Sequence, residues 1–252
     1  MITTKSPTVN VLGVNISQVD KAQAICLLHD FLKRDRPHLV ITPNPEIVIK
    51  ATRDPVLMSI INTADLVVPD GIGVVVGAKL LGNPLPERVP GYELTQALFA
   101  SSVTLSEPLT VYLLGGKPGV AAQAGLNLSQ QYANLTVVGT HSGYFDTIEE
   151  AALLRDIERT RPQVLIVGLG APKQEKWLHQ HRHLPIKIGI GAGGSIDVFA
   201  GQVQRAPERW IKLNLEWLYR LLKQPQRLFR MGSLVRFILR ISYQALKTKK
   251  NK

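Results

Sequence analysis

Short apolar segments alternate with segments of helical periodicity along about the first 200 residues. The apolar segments are rich in β-branched residues, as are strands buried on both faces of a sheet. They are Val9–Leu12, Leu39–Thr42, Leu66–Pro69, Thr110–Leu114, Leu135–Val138, Val164–Val167 and Ile186–Ile190. The helical segments include Val19–Lys33, Pro55–Thr63, Tyr92–Ala100, Val120–Tyr132 and Thr147–Arg161. This alternation predicts an α/β fold with a mostly parallel sheet and helices on both faces, which binds ligands at the carboxyl ends of its strands.

The pattern changes near Gln202. Apolar residues then recur at helical spacing, and Pro225 breaks or restarts the helix. The first stripe is Trp210, Leu213, Trp217 and Leu221; after Pro225, an apolar stripe of Leu234, Ile238, Ile241 and Ala245 accompanies a basic one of Arg236, Arg240 and Lys247. Such a basic amphipathic helix is typical of membrane interfaces, although its apolar stripe would equally suit packing on a core. We expect a catalytic core over residues 1–201 and a basic helical appendage over residues 202–252.

The net charge of +11 is confined to the appendage. Residues 1–201 carry 17 basic and 17 acidic residues, whereas residues 202–252 carry 13 basic and two acidic ones. A basic appendage on a neutral core predicts a polyanionic partner, which is a nucleic acid, an anionic membrane or a diphosphate ligand. The continuous apolar stripe and the lack of interleaved aromatic residues speak against nucleic acid.

One cysteine, Cys26, excludes an intramolecular disulfide, and we expect it to be a buried, inert thiol in a reducing compartment. The first residues lack a charged region followed by a long apolar run. No window approaches about 18 uninterrupted apolar residues, the length that a membrane-spanning helix needs. These features predict a cytoplasmic chain without a secretory signal or a spanning helix.

Polar and glycine-rich loops follow most of the predicted strands. They are TPNPE (Thr42–Glu46), VPDGIG (Val68–Gly73), ERVPGYEL (Glu87–Leu94), LLGGKPG (Leu113–Gly119), VGLGAPKQEKW (Val167–Trp177) and GAGGSIDVFAG (Gly191–Gly201). Glycines allow backbone N–H groups to approach a phosphate or a sugar closely. None of these loops matches the phosphate loop of NTPases or the dinucleotide fingerprint of dehydrogenases, which argues against both classes.

In this order and spacing, the loops resemble the WecG/TagA/CpsF glycosyltransferase family over essentially the whole chain. The resemblance implies a Rossmann-like sheet of the GT-E type with a C-terminal helical appendage. It also implies an inverting bacterial enzyme that transfers N-acetylmannosamine or a related hexose from a UDP-sugar donor to a prenyl-diphosphate-linked saccharide acceptor. Such an enzyme would act peripherally on the inner face of the plasma membrane, on an anionic membrane surface, in polysaccharide or teichoic acid synthesis. A homo-oligomer is left open.

Asp70 is the expected catalytic base, because the family's proposed general base occupies the VPDGIG motif. An inverting transfer needs a carboxylate that takes a proton from the acceptor hydroxyl on the side opposite the leaving group. Capping of the following helix, Gly71–Leu81, is the alternative role for Asp70. Thr42 and Asn44 resemble the family's TPN motif near the sugar, or else they serve a turn.

Arg88 resembles the family's arginine that faces the donor phosphates, with an ion pair to Glu87 or Glu93 as the alternative. Gln174 is expected nearest the donor, Tyr144 in the uracil pocket or the core, and Asp197 at the donor or as a loop support. The complete set of expected donor or substrate contacts is Thr42, Asn44, Arg88, Gly115, Gly116, Tyr144, Gly168, Gly170, Lys173, Gln174, Glu175 and Asp197.

No metal or other cofactor is expected. The sequence has no Asp-x-Asp motif, and His179, His181 and His183 alternate in a way that does not suit one helix face. Arginines and N–H-rich loops would then neutralise the UDP leaving group. The resemblance adds Arg220, Arg227 and Arg230 of the appendage as diphosphate contacts, with lipid-facing charge as their alternative.

Three other functional classes remain open on the residues alone. They are a nucleic-acid-binding module, a dinucleotide-dependent oxidoreductase on the same kind of sheet, and a membrane scaffold without enzymatic activity.

Overall fold

A computed structural model describes residues 6–223 and 228–250. The strands are β1 (Thr8–Val11), β2 (Val14–Ser17), β3 (His38–Ile41), β4 (Leu66–Val67), β5 (Leu109–Gly115), β6 (Leu135–His141), β7 (Val164–Gly168) and β8 (Ile188–Gly191). The helices of the first half are α1 (Lys21–Leu32), α2 (Pro45–Ala51), α3 (Pro55–Thr63), α4 (Ile72–Leu80), α5 (Gly91–Ser101) and α6 (Val120–Gln131). Those of the second half are α7 (Thr147–Thr160), α8 (Lys173–Gln180), α9 (Ser195–Phe199), α10 (Glu208–Lys212), α11 (Glu216–Lys223) and α12 (Leu228–Lys250).

Six strands form one parallel sheet in the order β4-β3-β8-β7-β5-β6. Helices α1, α5, α6 and α9 pack on one face of this sheet. On the other face, α2, α3, α4 and α12 cover the β4-β3 side, and α7 and α8 cover the β7-β5 side. The predicted α/β fold, a Rossmann-like sheet between two helical layers, is therefore confirmed.

The predicted strand Val9–Leu12 does not join the parallel sheet. It forms β1, which pairs with β2 in a separate antiparallel hairpin. In β1, Val9 and Val11 are buried whereas Thr8 and Asn10 are exposed, so this strand buries one face only. The interpretation as a strand buried on both faces was wrong, because four residues are too few to separate continuous burial from alternation.

Helix α2 was not predicted, and a turn was only the alternative interpretation of the TPN motif. Asn44 is its N-cap, and the Asn44 Oδ1 accepts a hydrogen bond from the Ile47 N–H at 3.0 Å. Pro45 takes the first helical position, where its missing N–H costs nothing. The turn signal Asn-Pro therefore marks the start of a helix here. The N-cap of α4 is Gly71 and not Asp70, so the alternative capping role of Asp70 is wrong.

The first apolar stripe of the appendage does not lie on one helix. The helix ends after Lys212, and Asn214 adopts a left-handed conformation (φ 58°) before α11 begins. Asparagine tolerates this conformation better than most residues, which explains the break. Leu213 and Trp217 are consequently exposed.

Helix α12 packs on α2 and α4. Phe237 and Ile241 are almost completely buried there, and Leu234 and Ala245 lie on the same side. Most of the stripe expected to face lipid therefore faces the core, although Ile238 remains exposed. A second set of apolar side chains is exposed on the helix: Val235, Leu239, Tyr243 and Leu246. Across the part of the chain that the structure describes, no helix is both long and apolar enough to cross a membrane.

Cys26 lies on the exposed side of α1. The expectation of a buried thiol was wrong. The buried face of α1 consists of Ala24, Leu28 and Phe31, and Cys26 lies on another face of the helix.

Candidate active site

The candidate residues lie along one edge of the parallel sheet. Thr42, Asp70, Gly116, Gly170 and Ala192 each follow the end of a different strand within a few residues. Parallel strands end at a common edge, and the loops that follow them form the usual ligand crevice of such sheets. Five of the six loops selected from the sequence are thus brought to the same side of the molecule. The sixth, Glu87–Leu94, joins them through a hydrogen bond from the Val89 N–H to the Pro69 carbonyl.

Asp70 lies in a turn that packs closely against the end of β3. The Asp70 N–H donates to the Pro43 carbonyl at 3.2 Å. A side chain on Gly71 would place its Cβ 2.7 Å from the Pro45 ring and 3.3 Å from the Asn44 Cβ. Only a glycine permits this approach, so Asn44 and Pro45 at the start of α2 fix the backbone that carries the half-buried Asp70 side chain.

Thr42 connects β3 to the neighbouring strand and to α5. Its buried side chain lies with Oγ1 3.4 Å from the Gly191 carbonyl, at the end of β8. Gly91, the first residue of α5, is so close that a Cβ there would lie 2.9 Å from the Thr42 Oγ1. The role of Thr42 in the structure is therefore to join three elements beside Asp70.

A backbone hydrogen bond brings the Arg88 loop beside the Asp70 loop: the Val89 N–H donates to the Pro69 carbonyl at 2.8 Å. The Arg88 guanidinium contacts two carboxylates, Glu93 at 3.3 Å and Glu216 at 3.6 Å. The expected ion pair with Glu93 is therefore present, but Arg88 is 14 % exposed and not a surface residue. Glu87 instead accepts a hydrogen bond from the Lys21 N–H.

Arg205 completes a network with these side chains. It contacts the Glu93 carboxylate closely and the Glu216 carboxylate at 3.7 Å. Its guanidinium lies over the Tyr92 ring, 4.8 Å from the ring centre. Arg88, Arg205, Glu93 and Glu216 thus form a largely buried network that joins the Arg88 loop, α5 and the appendage.

Glycines form the edge of the sheet where β5, β7 and β8 end. A Cβ on Gly115 would lie 2.7 Å from the Gly168 carbonyl oxygen, and one on Gly168 would lie 2.7 Å from the Gly193 carbonyl oxygen. The Gly143 N–H donates to the Gly116 carbonyl at 2.8 Å, which brings the loop after β6 to the same place. This part of the edge presents peptide groups rather than side chains.

The Gln174 side chain stabilises the loop that follows β8. Its Oε1 accepts a hydrogen bond from the Gly193 N–H at 3.0 Å, and its Nε2 donates to the Glu175 Oε1 at 2.8 Å. Both side chains are buried, and Glu175 is only 1 % exposed. Gln174 was expected to lie nearest the donor. In the structure, both the oxygen and the nitrogen of its side-chain amide form hydrogen bonds within the protein.

The Glu175 carboxyl is an unusual group for a protein interior. Burial raises its pKa, while the hydrogen bond from Gln174 and the charge of Lys50 act in the opposite direction. Among the described residues, its Oε2 has no hydrogen-bond partner. A buried acid with a raised pKa holds its proton more firmly than an exposed one.

Four remaining candidates lie at the rim. Tyr144 is mostly exposed, so the alternative placement in the core is wrong. The exposed Lys173 places its ammonium 5.1 Å from the centre of the Phe145 ring. Asp197 lies in α9, and its backbone carbonyl accepts from the N–H groups of Gln202 and Val203, which holds the start of the appendage. Gly170 is in a left-handed conformation before α8.

Three other arginines of the appendage were expected to contact the diphosphate. Arg227 lies outside the described residues, as do the side chains of Arg220 and Arg230. Within residues 6–223 and 228–250, no group of three or more His, Cys, Asp or Glu side chains is arranged to hold a metal ion.

A model of the glycosyl transferase WecG/TagA/CpsF family matches residues 9–251. The chain belongs to this family. Its membership establishes a glycosyltransferase and removes the grounds for the nucleic-acid-binding, oxidoreductase and scaffold interpretations.

Relatives from two bacterial genera are similar over most of their length. The N-acetylglucosaminyldiphosphoundecaprenol N-acetyl-beta-D-mannosaminyltransferase of Bacillus subtilis strain 168 is 37% identical over 215 residues, which are 85% of this chain and 81% of the relative. The enzyme of the same name from Staphylococcus aureus strain MRSA252 is 36% identical over 248 residues, which are 97% of this chain and 96% of the relative. The second match therefore includes the appendage.

In this WecG/TagA/CpsF family member, two groups of residues divide the candidate site. A carboxylate and two guanidinium groups lie on the β4-β3 side, and the glycine edge covers the ends of β8, β7 and β5. Carboxylates accept protons, whereas guanidinium and peptide N–H groups stabilise anions. The arrangement is thus suited to a transfer in which an alcohol loses a proton and a negatively charged group departs.

Sequence reasoning missed Arg205 and Glu216 of this family member. Both lie in the appendage, more than 100 residues from Arg88 and Glu93 along the chain. A signal was present, since Glu216 is one of only two acidic residues among the last 51. A carboxylate in so basic a segment is expected to pair with a cation when it is buried.

Proposed function

We propose that this glycosyltransferase transfers one hexose, N-acetylmannosamine or a close relative, from a UDP-sugar to a prenyl-diphosphate-linked saccharide, with inversion and without metal. The names of the relatives in Bacillus and Staphylococcus support the acceptor class and the sugar. Similarity over nearly the full length of the Staphylococcus enzyme supports extending this acceptor to the present chain.

Asp70 carries the proposal as the catalytic base. It follows an edge strand of the sheet, its backbone is fixed by Pro43 and by the close contact of Gly71 with Pro45, and its side chain is half-buried. A base in an inverting transfer must hold its position on one side of the sugar while the diphosphate leaves from the other. A carboxylate on so constrained a turn suits that requirement.

Neutralisation of the leaving diphosphate is assigned to arginine and peptide N–H groups. Arg88 lies beside the Asp70 turn, and the glycine edge brings peptide groups to the same side of the sheet. Guanidinium groups bind phosphates through two parallel hydrogen bonds, and preorganised N–H groups stabilise developing negative charge. Thr42, on the sugar side, would support the base and contact sugar hydroxyls.

The same proposal places the enzyme on the inner face of the bacterial plasma membrane, where a prenyl-linked acceptor is anchored. The exposed apolar residues Val235, Leu239, Tyr243 and Leu246 of α12 are accompanied by the exposed cations Arg236, Arg240 and Lys247. An exposed apolar stripe next to cations is the pattern of helices that lie on anionic membranes.

The test follows UDP release from a panel of UDP-sugars with a short-chain N-acetylglucosaminyl-diphosphate lipid, in EDTA. Turnover is expected with UDP-N-acetylmannosamine or a close epimer. In Asp70→Asn, which keeps the shape and removes the base, transfer should fall about 10²- to 10⁴-fold with unchanged thermal unfolding. Asp35→Asn is the matched control, because the Asp35 side chain is almost fully exposed and precedes β3, at the end of that strand opposite to Thr42. Near-normal transfer by Asp70→Asn would contradict the base, and a strict need for a divalent ion would contradict the metal-free mechanism.

A further inference from the structure

The structure assigns to Arg205 a part in binding a diphosphate ester: we propose that Arg88 and Arg205 together form a two-guanidinium clamp, and that Glu216 holds the clamp until the ligand replaces it. This inference rests on the proposed function, because the diphosphate is that of the UDP-sugar or of the prenyl-linked acceptor.

Both arginines contact the same pair of carboxylates. Glu93 lies 3.3 Å from Arg88 and is also in close contact with Arg205, and Glu216 lies 3.6 Å from Arg88 and 3.7 Å from Arg205. Two guanidinium groups that share both partners must lie near each other. A diphosphate carries its negative charge on two neighbouring phosphates and therefore matches two adjacent guanidinium groups better than one.

The Arg205 guanidinium is held in place without a ligand, and some of its N–H groups are not used in the ion pairs with Glu93 and Glu216. The Tyr92 ring lies against its guanidinium, and Glu93 fixes the direction of the group. Both of its ion pairs use a single nitrogen, Nη2, and its buried Nε has no hydrogen-bond partner among the residues that the structure describes. A buried donor without a partner is costly unless a ligand supplies one.

Glu216 is the carboxylate suited to leave. Its distances of 3.6 and 3.7 Å to the two arginines are longer than hydrogen bonds, whereas Glu93 lies closer to both. Glu93 belongs to α5 of the core, and its other oxygen also lies 3.6 Å from the Lys21 ammonium. Glu216 belongs to α11, in the appendage. Its displacement would therefore involve only its own side chain or α11, and it would leave the contacts of Glu93 with both arginines in place.

The experiment measures the binding of uridine, UMP, UDP and farnesyl diphosphate by calorimetry. In Arg205→Ala, UDP or farnesyl diphosphate is expected to bind about 10- to 100-fold more weakly, with uridine unchanged. Arg205→Lys should recover part of the loss, because it keeps the charge without the fork. Arg209→Ala, an exposed arginine of α10, is the matched control and should bind all four ligands as the wild type does. A loss confined to one diphosphate identifies the source of the ligand.

Glu216→Gln supplies a test of opposite sign. Removal of the competing carboxylate should strengthen diphosphate binding several-fold, whereas Glu208→Gln, an exposed acid of α10, should not change it. Equal weakening of all four ligands in Arg205→Ala, or weaker diphosphate binding in Glu216→Gln, would overturn the clamp and leave the network a structural one. If the wild type binds farnesyl diphosphate but no uridine nucleotide, the proposed donor is wrong while the clamp is still tested by the lipid diphosphate.

Discussion

Helix α12 has two apolar faces; a substitution on the inner face should lower stability, and one on the outer face should weaken membrane binding. Phe237 is 2 % exposed on the inner face, and its ring lies 3.0 to 3.1 Å from the position of a Cβ on Gly77 of α4. Truncation of such a buried phenylalanine costs about 3–5 kcal/mol. Apart from Phe237, Ile241 is the one side chain of the helix that is buried to the same degree among the described residues. Phe237→Ala should therefore remove a large part of the free energy that docks α12.

Amide hydrogen exchange measures this docking directly. A loss of about 3 kcal/mol raises the population of an undocked helix by roughly two orders of magnitude, so the α12 amides should exchange correspondingly faster in Phe237→Ala. The amides of the central strand β8 should exchange at the wild-type rate, because the buried side chains Ile188 and Ile190 of this strand belong to the hydrophobic core on the opposite face of the sheet, to which α12 does not contribute. Equal protection of α12 in the variant and the wild type would refute the packing described for this helix.

Leu239→Ala provides the control on the outer face, where Leu239 is 64 % exposed. Its stability should match that of the wild type, because little of this side chain is buried. Flotation with anionic vesicles should however show about 10-fold weaker binding, since a leucine inserted into lipid contributes about 1.5–3 kcal/mol. Stronger destabilisation by Leu239→Ala than by Phe237→Ala would mean that the two faces have been assigned the wrong way round.

Two further expectations concern buried contacts. Burial raises the pKa of the Glu175 carboxyl, so the folded protein keeps a proton that the unfolded chain releases above about pH 4.5, and the stability that this proton supports is lost as the pH rises through the folded pKa. The melting temperature of Glu175→Gln relative to the wild type should accordingly rise from pH 5 to pH 8, while the exposed Glu158→Gln should show no trend; a constant difference would contradict the raised pKa. Gly91→Ala should lower the free energy of unfolding by about 1–3 kcal/mol, because its Cβ would meet Thr42 at 2.9 Å. Gly232→Ala lies within α12 and has open space around it, so in chemical denaturation it should not lower stability and should raise it by up to about 1 kcal/mol. A second change of Thr42 to Ala should recover part of the loss at Gly91.

The sequence allowed prediction of what depends on local pattern. Apolar runs located six strands of the parallel sheet, and the ends of those runs located Thr42, Asp70 and Gly168 at one edge, because parallel strands have a common direction. Helix α3 begins and ends at the predicted residues, since Pro55 and the Asp54 cap fix its start. Each of these predictions depends on the pattern of a short stretch of sequence.

What the sequence did not predict depends on distant contacts or on three-dimensional choices. The pairing of Arg205 and Glu216 with residues of α5 needs a fold that brings the appendage back to the core. Helix α12 has two apolar stripes of similar strength, and only the groove between α2 and α4 decides which is buried. Gln174 has the chemistry of a sugar ligand, but the position of Gly193 turns its amide inward.

The glycine contacts at the ends of β5, β7 and β8 limit how this surface can diverge. The backbones at the ends of these three adjacent strands are in contact and leave no room for a methyl group. Glycine therefore cannot be replaced there by a residue with a side chain. A shift in sugar preference within such a lineage must then arise from the bordering loops, from residues such as Tyr144 and Lys173 that stand at the rim. The glycine contacts would stay constant while the bordering loops vary. A comparison of enzymes with different donors should therefore find their differences in those loops.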